Sequence, residues 1–121
     1  MSNIPRISES EWEVMKTLWR KSPLSSNEII DQLGWHRQTV RTFLGRLVKK
    51  EALTFRREGR NYMYEPTFSE EECQKAISKS FLDRIFGGSL KPMLTHLVEE
   101  DSLSTEEINE LQKILKQKRK S

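Results

Sequence analysis

Four helix starts are written into this chain. Ser8-x-x-Glu11, Ser25-x-x-Glu28, Ser69-x-x-Glu72 and Ser104-x-x-Glu107 each place a hydroxyl three residues ahead of a carboxylate. At that spacing the two side chains satisfy each other's backbone N–H groups in a reciprocal capping box. Each box precedes apolar residues at helical period, so the chain is predicted to be mainly α. The first helix is expected over about Glu9 to Arg20, with Trp12, Met15 and Trp19 at i, i+3, i+7, Leu18 beside them and Pro23 closing its exit. A short second helix is expected from Ser26 to Leu33, with Ile29, Ile30 and Leu33 inward, ending at Gly34 in a left-handed conformation.

The next segment, "HRQTVRTFLGRLVKK", spans His36 to Lys50 and carries no acid. Val40, Phe43, Leu44, Leu47 and Val48 fall on one helical stripe, and Gln38, Thr42, Gly45 and Lys49 lie opposite, flanked by Arg41 and Arg46. Gly45 costs about 1 kcal/mol relative to Ala, which fits either a tolerated surface glycine or a close approach by another backbone. After Ala52 the period drops to 2. "LTFRR" and "NYMYEP", separated by "EG", read as a two-stranded hairpin with Gly59 in the turn. Leu53, Phe55, Tyr62 and Tyr64 are expected on its covered face, and Arg56, Arg57, Arg60 and Asn61 at its tip.

The remainder is predicted to be three helices: Glu70 to about Phe86, Leu90 to Glu99, and Glu106 to about Lys116, with the tail "KQKRKS" frayed. At 121 residues, with 35% hydrophobic and 32% charged residues, the core is lean for the length. A three-helix set of this size is marginal alone, and a second copy is the simplest way to cover it. The expected organisation is therefore residues 1–68, a winged helix-turn-helix domain with a small β wing, and 69–121, a three-helix dimerisation module.

Charge is uneven. Residues 1–66 hold 12 Lys/Arg against 8 Asp/Glu, whereas residues 67–121 hold 9 against 10. The span from Arg37 to Arg60 has eight cations and two acids, a footprint that suits a polyanion. Catalysis finds no support. His36 and His96 are far apart, and there is neither a G-x-S-x-G nor a phosphate-binding glycine loop. Cys73, the single cysteine, has no companion at metal-ligand spacing and reads as a small core or surface residue. Met15, Met63 and Met93 fall on apolar stripes, as core does. A non-enzyme without metal or cofactor is expected. No signal peptide or apolar run of about 18 residues is present, pointing to a cytoplasmic chain with no membrane insertion.

A helix-turn-helix with a basic wing uses these residues economically, because a DNA major groove admits one helix and is read by its outward side chains. Gln38 suits an adenine edge, Arg41 or Arg46 a guanine, and Thr39 and Thr42 a phosphate or thymine methyl. Arg57 and Arg60 would hold the backbone or flanking minor groove. The alternative from pattern alone is a winged-helix interaction module whose basic face docks an acidic protein or RNA.

Five blocks carry a resemblance: "ISESEWEVMKTLW" (7–19), "TVRTFLGRLVKKEAL" (39–53), "EGRNYMYEP" (58–66), "SKSFLDRIFGGSL" (78–90) and "LSTEEINELQKIL" (103–115). In order and spacing they resemble the penicillinase and methicillin-resistance repressors over nearly the whole chain. That resemblance implies a homodimeric repressor of β-lactamase or penicillin-binding-protein operons, bound to a palindromic operator through Arg37, Gln38, Thr39, Arg41, Thr42, Arg46 and Lys49 of the third helix and Arg57, Arg60 and Asn61 of the wing. It implies a dimer interface containing Phe81, Ile85, Leu90, Leu94, Leu97, Ile108, Leu111, Ile114 and Leu115. It also implies a membrane sensor-transducer or associated protease that relieves repression by cleavage near Ser80-Phe81; release by a small ligand without cleavage is the other possibility. The chain departs from the family's usual pattern at the short Leu33-Gly34-Trp35 turn and at His36, Arg37 and Gln38, which stand where relatives have Ser-Pro-Lys. It has Ser80 where many relatives have Asn, and it lacks the cysteine-rich tail of the copper-responsive repressors.

Overall fold

A computed structural model describes residues 4–120. In chain order they form α1 (Glu9–Arg20), β1 (Leu24–Ser25), α2 (Ser26–Leu33), α3 (Arg37–Lys49), β2 (Leu53–Glu58), β3 (Asn61–Pro66), α4 (Glu70–Phe86), α5 (Leu90–Glu99) and α6 (Thr105–Lys120). All four capping boxes form. In each, the glutamate accepts from the serine N–H at 2.8–3.1 Å and the serine hydroxyl accepts from the glutamate N–H at 3.1–3.2 Å.

Two expectations about elements need correction. The hairpin is part of a three-stranded antiparallel sheet of order β1-β3-β2, with Leu24 opposite Tyr64 and Ser25 opposite Met63. A two-residue strand is too short to display a period, and Ser25 also caps α2, which hides its extended backbone in the sequence. The carboxy-terminal "KQKRK" continues α6 to Lys120, since no Gly or Pro interrupts it and Lys118, Arg119 and Lys120 sit well near the negative end of the helix dipole. Ser121 lies outside the described residues.

The chain divides into two compact units, up to Ser78 and from Lys79. The start of α4 belongs to the first unit, where Cys73 is buried. That unit has a closed core, built by Val14, Met15 and Leu18 of α1, Ile29 of α2, and Val40, Leu44 and Leu47 of α3, together with Leu24, Ala52 and Leu53. Trp12 and Trp19 meet edge-on at 4.9 Å, and Trp19 Nε1 donates to the Phe68 carbonyl at 2.9 Å.

α3 ends in a Schellman motif: the Ala52 N–H donates to the Leu47 carbonyl and the Glu51 N–H to that of Val48, both at 2.9 Å. The left-handed position, usually glycine, is Glu51 at φ 66°. Gly34 ends α2 at φ 70°, and Gly59 takes φ 62° in the hairpin turn, both as the sequence suggests.

In the second unit no described residue is fully buried. Phe81, Ile85, Leu90, Leu97, Leu111, Ile114 and Leu115 are 37–63% exposed, while Leu94 and Ile108 are half-buried. Met93 is half-buried as well, and Met15, in the first unit, is wholly buried.

Candidate nucleic-acid interface

The interface begins with how α3 is held. Val40, Leu44 and Leu47 are buried and Phe43 and Val48 pack against the same core, so helical geometry turns Gln38, Arg41, Thr42, Gly45, Arg46 and Lys49 outward, where all six are exposed. Arg37 and Thr39 are exposed at the helix start. His36 caps the helix, its Nδ1 accepting from the Gln38 N–H at 3.2 Å, so Arg37 opens α3 despite the unusual tripeptide.

Several outward groups are preset. Arg37 Nη1 donates to Asn27 Oδ1 of α2 at 3.2 Å, and Thr42 Oγ1 donates to the Gln38 carbonyl at 2.9 Å. The Arg46 guanidinium lies 5.6 Å from the Phe43 ring centroid, and Phe43 meets Trp35 edge-on at 6.0 Å. A cation resting on a ring loses less rotamer freedom when it binds a base edge or phosphate.

Two cations of the basic stretch are otherwise engaged. Lys50 Nζ lies 2.6 Å from Glu11 Oε1 and donates to the Arg6 carbonyl at 2.8 Å. Glu11 is only 2% exposed. Burial pushes its carboxyl pKa up, but the hydrogen bonds from Lys50 and from the Ser8 N–H and hydroxyl outweigh it and leave the value below the ordinary one. Arg56 pairs with Glu58 at 3.4 Å and with Glu65 at 3.0 Å.

Along the wing, Phe55 faces Tyr64 and Arg57 faces Tyr62 in register. These side chains share one face, but it is buried at Leu53 and half-buried at Tyr64, which packs against the core, while Phe55 and Tyr62 are 51% and 47% exposed, contrary to the expected covered set. Along β2 burial ends after Leu53 because the tip of the hairpin outruns the helical core, and the exposed Phe55 and Tyr62 rings pack edge-on at 5.3 Å. Arg57 Nε donates to the Gly59 carbonyl at 3.2 Å. Arg41 of α3 and Arg60 and Asn61 of the wing, remote in sequence, line one cleft with Ser26, Asn27, Tyr62 and Tyr64. The tyrosines and Asn27 were missed as site residues because period 2 assigns a tyrosine to a face but does not say whether its hydroxyl reaches a rim.

The family model for the penicillinase repressor matches residues 7–117. The chain belongs to the penicillinase repressor family. It is 43% identical to the penicillinase repressor of Bacillus licheniformis over 121 residues, covering 97% of this chain and 94% of that one. It is 33% identical to the methicillin resistance regulatory protein MecI of Staphylococcus aureus over 116 residues, 93% and 94% of the two chains. Among solved structures, the monomeric form of Bacillus licheniformis BlaI in complex with the blaP half-operator matches with a TM-score of 0.53 and 42% identity, over 60% of this chain and 93% of that one. The resemblance carried by the five sequence blocks is thus borne out, as is the mainly α, winged-helix fold. Membership in a family of repressors sets the chain among transcription regulators, and among the described residues no helix is long and apolar enough to cross a membrane.

Proposed function

We propose that this protein is a dimeric DNA-binding repressor of β-lactam resistance genes, a β-lactamase or penicillin-binding-protein operon, working in the cytoplasm by binding rather than catalysis. The observation that carries the reading is the outward face of α3, which presents Gln38, Arg41, Thr42, Arg46 and Lys49 without an acid while its opposite face is locked into the core. A helix so mounted fits the major groove. Gln38 and Arg46 read base edges; Arg37, Thr39, Arg41, Thr42 and Lys49, with Arg57, Arg60 and Asn61, hold phosphates and sugar on either side. Two copies joined through their exposed α4–α6 side chains would engage a palindromic operator as one ligand.

Relief of repression is assigned to a membrane sensor-transducer or associated protease that cuts near Ser80-Phe81. That bond lies within α4, with both residues exposed, and Phe81 meets Phe86 edge-on at 5.9 Å. Cleavage there detaches α5, α6 and the end of α4 from the DNA-binding unit.

The DNA reading is tested with a duplex selected from random sequence by repeated rounds of binding. Its affinity should fall steeply as salt rises, and Arg41→Ala and Arg46→Ala should each cost about 1–3 kcal/mol. Salt-independent binding, or no loss in either variant, would overturn it. Mass spectrometry of the protein from β-lactam-treated cells should find a fragment ending near Ser80; an intact chain during induction would sink the cleavage step and favour release by a small ligand.

A further inference from the structure

The cleft formed by Ser26, Asn27, Arg41, Arg60, Asn61, Tyr62 and Tyr64 has a volume of about 470 Å³. Its lining joins the start of α2, the middle of α3, the hairpin turn and β3, and contains two guanidinium groups, two side-chain amides, two phenols and a serine hydroxyl but no acid. The nearby acids of the wing are committed elsewhere, since Glu58 and Glu65 both pair with Arg56.

The donors are arranged to stay donors. Asn27 Oδ1 already accepts from Arg37, leaving its NH₂ group to donate. Burial, and then the neighbouring Tyr62, push the Tyr64 phenol above its ordinary pKa despite the opposing charge of Arg41, so at neutral pH it carries its proton. Two cations from different elements, surrounded by neutral donors, match a group with one diffuse negative charge and several acceptor oxygens.

We propose that this cleft is the seat for one backbone phosphate of the bound duplex, gripped jointly by Arg41 and Arg60, with Asn27 and Tyr64 donating to its oxygens. The proposal rests on the DNA reading above and deepens it: Arg41 is assigned to a phosphate rather than a base, and α2, α3 and the wing close on a single backbone position. That position fixes how far along the groove α3 sits, so the cleft sets register.

A scan of the selected duplex tests this, replacing one phosphate at a time by a neutral methylphosphonate. For the full-length protein, one position per half-site should weaken binding about tenfold. That same position should lose most of its effect in Arg60→Met and in Tyr64→Phe, while other sensitive positions keep theirs. Arg60 stands in an exposed turn and Tyr64→Phe retains its ring, so both variants keep the fold; their unchanged circular dichroism and urea midpoint would establish that. If every sensitive position stays equally sensitive in both variants, the cleft holds no phosphate, although the wild type still binds duplex. If the wild type binds no duplex, the underlying DNA reading fails instead.

A parallel titration with inorganic phosphate distinguishes the source of the phosphate. The amide resonances of Asn27 and Asn61 should move only at millimolar concentration. Saturation far below that, with displacement of the duplex, would mark the cleft as a site for a free phosphate compound and overturn the assignment to the DNA backbone.

Discussion

At the level of single residues, Lys50 separates a basic composition from a binding surface. It belongs to the acid-free stretch, yet its ammonium is held by Glu11 and the Arg6 carbonyl. Removing it leaves a carboxylate in the interior without its cation. Lys50→Met should therefore lower stability by about 2 kcal/mol, less than for a fully enclosed pair because Lys50 itself reaches solvent. The slope of log affinity against log salt should stay as in the wild type, whereas Lys49→Met should flatten it by about 1 and leave stability nearly unchanged. Urea unfolding and duplex titration over a salt series read the two effects separately. The same pair sets an acid limit. Glu11 has a folded pKa below its unfolded value, so its contribution is complete above about pH 4.3 and is lost as pH falls through the lower folded value. Between about pH 5 and 3 the urea midpoint should fall less steeply in Glu11→Gln than in the wild type. Glu51 offers the opposite case, a residue whose replacement helps. It occupies the left-handed position that closes α3, and Glu51→Gly should raise stability by about 1 kcal/mol, read from the same unfolding curves.

At the scale of the element, α3 shows what a one-dimensional pattern carries. Its apolar stripe placed the buried face correctly residue by residue, because a helix converts spacing into direction with no further information. The hairpin was less legible. Alternation put Leu53, Phe55, Tyr62 and Tyr64 on one face, as the register bears out, but what covers that face depends on how far the strands extend past the core. For the same reason the cleft stayed hidden: Asn27, Arg41 and Tyr64 meet only once three elements are assembled. Gly45 is where the element's own stability and its task separate. A Cβ there would meet nothing within 4 Å, so the protein itself imposes no need for glycine. Gly45→Ala should stabilise the helix by about 0.5–1 kcal/mol. If α3 lies in a groove with this residue against the duplex, the same change should weaken duplex binding. A variant that is more stable and binds equally well would place Gly45 away from the DNA.

Over the whole molecule, the first unit closes its own core and the second does not. Leu111, Ile114 and Leu115 stand on one face of α6 at 39%, 62% and 63% exposure, an apolar stripe of the kind a second copy can cover. The amino acid pattern revealed the helices and their stripes, but which copy covers which stripe is a property of two chains and is absent from one. If a second copy supplies that cover, Ile114→Asp should shift sedimentation from dimer to monomer at micromolar concentration, since one buried carboxylate per chain is strongly disfavoured at such an interface. The first unit, with its separate core, should keep its thermal transition. Each monomer could then still dock on one half-site, but the second docking would no longer be intramolecular. Affinity for a two-site duplex should fall about 10²–10⁴-fold, while affinity for an isolated half-site stays the same. Equal losses on both duplexes would mean that the substitution damages the DNA-binding unit itself; no loss on either would mean that α6 does not join the two copies.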